Sequence, residues 1–131
     1  MSLLKLLFGF LFLLLCIPSC KKQREDCISY QPGYVYERYI PDSVSIDSLV
    51  VIGVDWKKKI ACQKFSYFNV DTTYKALDLT LQTMINHCDC DNDTSIHRHE
   101  NYIFKPDTVG KYPISIGAYG GAHFVDTIIV Y

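Results

Sequence analysis

From residue 34 onward the apolar positions recur at a spacing of two or in short blocks, the rhythm of β-strands and not the three-to-four spacing of helices. Tyr34-Val35-Tyr36-Glu37-Arg38-Tyr39-Ile40 is a run of strand formers stopped by Pro41-Asp42, and Leu49-Val50-Val51-Ile52-Gly53-Val54 is an apolar block of buried-strand length. Asp55 to Lys59 breaks that pattern. Phe65, Tyr67 and Phe68 mark a third strand. In residues 76–85, Leu77, Leu79 and Leu81 alternate with Asp78, Thr80 and Gln82. Leu77, Leu81, Met84 and Ile85 would also share one helical face, but the strict alternation and the threonines favour a strand. A polar segment from Asn86 to His99 follows, then Tyr102-Ile103-Phe104 as a strand closed by Pro106. Residues 112–118 and 122–130 are two further strands around Tyr119-Gly120-Gly121, whose paired glycines supply the positive φ angles of a tight hairpin.

The first residues follow a different rule. Lys5 precedes an unbroken apolar run of twelve residues from Leu6 to Ile17, and a charged stretch begins at Lys21. Crossing a bilayer takes about 20 apolar residues, so the run is too short for a comfortable span and reads as a signal segment. At its end, Ile17-Pro18-Ser19-Cys20 resembles the lipobox of bacterial lipoproteins: an aliphatic residue at minus three, a small one at minus one, then cysteine. Cys16 follows three leucines and fits that pattern poorly. The resemblance implies cleavage after Ser19, acyl chains on Cys20, and stable attachment to a membrane, since several chains hold where one does not. Lys21 in place of Asp after the cysteine resembles the pattern sent to an outer membrane. The expected organisation is therefore a signal peptide (1–19), a lipidated cysteine and tether (20–33), and one β-domain (34–131) at a bacterial envelope.

The fold expectation sharpens near the C-terminus. Asp107-Thr108-Val109-Gly110-Lys111-Tyr112 resembles the D-x-G-x-Y corner of immunoglobulin-like sandwiches, with one extra residue between Asp107 and Gly110. In that family the tyrosine hydroxyl returns to upstream backbone. The resemblance implies an all-β, single immunoglobulin-like antiparallel β-sandwich. Two departures are visible: Ile114 stands where antibody-type domains carry cysteine, and Pro113 removes a ladder donor near the strand start.

Removing residues 1–19 leaves 112 residues, enough for one core. Their 12 basic and 14 acidic side chains give a net charge of −2, and Lys57-Lys58-Lys59, read as a solvated turn, is the one basic cluster in the folded part. A nucleic-acid surface needs a sustained basic stripe, so that partner is excluded. Cys27, Cys62, Cys88 and Cys90 remain, an even number in an exported chain, which favours disulfides. Four cysteines allow three connectivities; antiparallel neighbours should bring Cys62 to Cys88 or Cys90.

No sequence motif of catalysis is present: no G-x-S-x-G elbow, no H-E-x-x-H helix, no glycine-rich phosphate loop. Cys62 as a nucleophile is weighed against the commoner buried or bridged cysteine. The expected role is a membrane-anchored binding or structural module without cofactor. Ten tyrosines, seven phenylalanines and Trp56 invite a glycan-binding reading, for which Tyr34, Tyr36, Trp56 and Tyr119 are candidates, against the plainer reading that strands prefer aromatics. A calcium loop is the sharpest alternative. Asp89, Asp91, Asp93, Ser95 and Glu100 stand at EF-hand-like spacing, but Thr94 occupies the place of the glycine and Pro106 leaves little room for an exiting helix. His87, Cys88, Cys90, His97 and His99 form a zinc alternative, with C-x-C and H-x-H tighter than structural zinc spacing.

Overall fold

The computed structural model describes residues 27–73, 75–90 and 95–131. The signal segment and Cys20 lie outside these residues, as do Asp91 and Asp93. Nine strands form two sheets: β1 (Ile28–Pro32), β2 (Tyr34–Tyr39), β3 (Ser43–Val44), β4 (Val50–Lys57), β5 (Gln63–Thr73), β6 (Ala76–Asn86), β7 (His97–Phe104), β8 (Gly110–Gly117) and β9 (His123–Val130). The smaller sheet has the order β2-β4-β7, with both pairings antiparallel. The larger has the order β1-β6-β8-β9-β3, with β5 along the other side of β6. Its β6–β8 and β3–β9 pairings are parallel. The molecule is an all-β sandwich.

Period-two alternation explains the layers. In β4, Val50, Ile52, Val54 and Trp56 are all but fully buried, while Val51 and Lys57 face outward. In β6, Leu77, Leu79, Leu81, Thr83 and Ile85 are buried and the residues between them are not, so the strand reading of this segment holds over the helical one. Tyr112, Ile114 and Ile116 of β8 and Ile128 and Val130 of β9 complete one core between the sheets. Full burial of such aliphatic side chains is worth roughly 1.5–3 kcal/mol each. The Trp56 indole N–H finds no acceptor there, so its burial rests on ring area alone.

Several expectations need correction. The tether does not run to Gly33, because Ile28–Pro32 pairs with the end of β6 as β1. Asp55 and Trp56 do not end the fourth strand but lie within it. Lys58 is buried, and its backbone N–H donates to the Ile96 carbonyl at 2.9 Å, so the lysine triplet is not simply a solvated turn. The last polar residues before Tyr102 belong to β7, which starts at His97. Pro113 is accommodated because the pairing of β8 with β6 begins one residue beyond it, at Ile114.

Gly33 lets the chain pass from one sheet to the other. Its N–H donates to the Leu81 carbonyl at 2.8 Å, and a Cβ there would fall 2.3 Å from Leu81 Cδ2. Below this switch, Cys27 is bonded to Cys88 and Cys62 to Cys90. The bridges join the chain just before β1 and just before β5 to the segment leaving β6. A buried polar network ties the same region: the Gln63 amide donates to Thr83 Oγ1 at 2.7 Å, and Thr83 donates to the Gln31 carbonyl at 2.9 Å. At the opposite end, the Tyr112 hydroxyl lies 2.9 Å from both the Thr108 carbonyl and Asp107 Oδ1, which share its one proton, and accepts from the Thr108 N–H at 3.2 Å. Gly110 takes φ +136° in this corner.

Candidate functional site

The outer face of the small sheet gathers a cluster of exposed aromatic, imidazole and acidic side chains. Register sets its rows. Tyr34 and His97 flank Lys57, Glu37 and His99 flank Asp55, Tyr39 and Asn101 flank Gly53, and Ile103 lies beside Val51. A β-bulge between Val35 and Glu37 inserts Tyr36 as an extra residue, so β2 carries Tyr34, Tyr36 and Tyr39 as exposed side chains, at 38, 38 and 49%. The surface is thus a flat platform of phenols and imidazoles with amide and carboxylate groups between them.

Its centre is a hydrogen-bonded cluster. His99 Nδ1 lies 2.6 Å from Asp55 Oδ1, and the Tyr39 hydroxyl donates to Asp55 Oδ2 at 2.9 Å, so each carboxylate oxygen has a partner. His99 Nε2 lies 3.1 Å from the Asn101 side-chain oxygen. With an oxygen at each ring nitrogen, the imidazole is arranged to donate twice, which is the charged form. The hydrogen bond that His99 donates to Asp55 raises the His99 pKa, and the same bond lowers that of Asp55. Bonding to Asp55 pushes the Tyr39 phenol up to about 12, so it remains a donor. Nearby, the Tyr36 hydroxyl lies 3.0 Å from His97 Nδ1 with the rings edge to face. Desolvation, then the charges of Asp55 and Glu37, raise the Tyr36 pKa.

Gly53 is the floor of this cluster. A Cβ there would lie 3.0 Å from His99 Cε1 and 3.3 Å from Tyr39 Cδ2, so the two rings close over a bare stretch of backbone. The dyad of Asp55 and His99 has the form of an acid–base pair, but the second ring nitrogen is held by an amide oxygen and not by a hydroxyl or thiol. The cluster sets fixed donors and acceptors beside exposed aromatic rings.

Of the residues singled out from sequence for sugar stacking, Tyr34 and Tyr36 are on the platform. Trp56 is not: it is 1% exposed and packs into the core, because it falls on the inward parity of β4. The Tyr119 side chain lies outside the described residues. Tyr39, Asp55, His97, His99 and Asn101 share this face through register, and the alternation of His97, His99, Asn101 and Ile103 is the one sign of it in the sequence.

Among the described residues neither metal set comes together, and Asp91 and Asp93 of the calcium set lie outside them. Cys88 and Cys90 are in disulfides, which removes the zinc thiolates, and Cys62 is likewise no nucleophile. His87 lies 3.1 Å from Ser29 Oγ, away from His97 and its Tyr36 partner. Of the calcium set, the Asp89 N–H donates to Asn86 Oδ1, Ser95 Oγ donates to the His97 carbonyl, and Glu100 sits inside β7 opposite Val54. Among the described residues no group of three His, Cys, Asp or Glu side chains is placed to hold a metal ion. No protein-family model, curated protein or solved structure matches the chain.

Proposed function

We propose that this chain is a lipid-anchored bacterial envelope protein whose domain binds glycans on the outer face of the β2-β4-β7 sheet. The observation that carries the reading is the platform itself. Three exposed tyrosines on one strand offer rings for sugar faces, and beside them Asp55 and Asn101, held in place by His99, together with Glu37, offer further lone pairs for sugar hydroxyls. The lipobox-like Ile17-Pro18-Ser19-Cys20 supports the envelope address, and two disulfides agree with an oxidising compartment. An immunoglobulin-like relationship is supported by the Tyr112 corner and the β8–β9 antiparallel pair. The parallel pairing of β6 with β8 is its departure from an antiparallel sandwich.

Retardation of the protein in gels containing soluble envelope and capsular polysaccharides tests the proposal. At least one glycan should retard it, and Tyr36→Ala or Tyr39→Ala should each weaken that retention by roughly tenfold, as loss of an exposed aromatic anchor does. Retention unchanged in the double variant, or no retention by any glycan, would overturn it.

A further inference from the structure

A second site lies at the end of the sandwich away from the disulfides, where the two sheets part. A cleft of about 460 Å³ opens there, with Leu77, Phe104 and Pro106 as its apolar wall and Lys75, Lys105 and Thr108 at its rim. Lys75 is built into this rim. It stands at φ 70°, a left-handed conformation that glycine or asparagine would take at less cost, in the turn between β5 and β6. Its ammonium donates to the Val109 carbonyl at 2.9 Å and lies 5.8 Å from the centre of the Tyr112 ring. Gly110 makes room for it, since a Cβ there would lie 3.0 Å from Nζ. A cation is thus held at the mouth of a mixed polar and apolar cleft by strained backbone, a carbonyl and a bare glycine. Lys105 is exposed and has no side-chain partner among the described residues. The one carboxylate in the lining, Asp107, already accepts from the Tyr112 and Thr108 hydroxyls through Oδ1.

We propose that this cleft binds a small carboxylate with an aromatic or compact apolar body, the body against Leu77, Phe104 and Pro106 and the carboxylate between the Lys75 and Lys105 ammonium groups. Charge decides the class: two ammonium groups stand against the single carboxylate of Asp107, which leaves the lining with a net positive charge, so a cationic ligand would be disfavoured and a neutral one would leave the rim unused. The cleft volume falls in the range of small-molecule sites.

A matched series tests it on the full chain: 2-naphthoate, 2-naphthol and 2-naphthylmethylamine share a body and differ in head charge. Binding is followed through the Ala76 and Leu77 methyl resonances. The carboxylate should bind about tenfold or more tightly than either analogue. Lys105→Gln and Lys75→Gly should each remove that preference while the remaining methyl spectrum stays native; the glycine variant also relieves the backbone, so a folding loss is not expected. Equal affinity for all three heads, a preference that survives both substitutions, or no shift at Ala76 and Leu77 would overturn the proposal. In those cases Lys75 would only pin the turn to the Tyr112 corner.

Discussion

His99 is gripped at both ring nitrogens, and the sign of its pH dependence follows from that grip. Its folded pKa lies above the ordinary 6.5, so its contribution is complete below 6.5 and fades as pH rises through the raised value. Asp55 is lowered from 3.8, so its contribution is complete above 3.8 and fades as pH falls through the lowered value. The pair is at full strength between those two ordinary values. Because His99 is half-exposed, screening keeps its worth below about 1 kcal/mol. In a titration followed by NMR, His99 should titrate above 6.5, and Asp55→Asn should bring it down; an unmoved pKa would show that Asp55 does not hold the imidazolium. At this level the sequence was hard to read. Aspartate is depleted in strands, so Asp55 looked like a break. What keeps it in β4 is a phenol 16 residues before it and an imidazole 44 residues after it, partners no local window contains.

Gly33 shows how two adjacent strands come to belong to different sheets. The absence of a side chain lets backbone lie against Leu81, and Gly33→Ala should cost about 1–3 kcal/mol, the usual penalty for overfilling a packed site. Urea unfolding would measure it. In a Leu81→Ala background the same change should cost clearly less, because the methyl it strikes is gone; strict additivity would mean that the strain arises elsewhere. The elements that the sequence showed well are those with one buried and one wet face, such as β6 and the β8–β9 pair. It showed only the end of β7, Tyr102 to Phe104, because the inward positions before it are Arg98 and Glu100, and it hid β1, whose short run ends in Pro32. Both are edge elements of their sheets, where burial asks less of composition. The sheet orders were not legible at all, since parallel contacts such as Leu77 with Ile114 depend on the whole assembly.

For the molecule as a whole, the proposed tether would meet the covalent frame at one place. Only six residues separate Cys20 from Cys27, and fully extended they and their flanking bonds span at most about 25 Å, so an anchored domain would stand close to its membrane. Cys20→Ser should abolish labelling of the protein by a radioactive fatty acid and leave residues 1–19 attached. Label on the substituted protein would refute the anchor. The disulfide pairing adds a mechanical consequence. Tension on the chain ahead of Cys27 does not have to peel β1 from the sheet edge, because the bridge to Cys88 passes the load directly to the end of β6, a strand flanked on both sides. The bridge from Cys62 to Cys90 fastens β5 to the same segment. That rim acts as a reinforced handle: a pull on the chain entering the sandwich would be borne by sulfur bonds and a central strand, while the short edge ladder of β1 is spared the load.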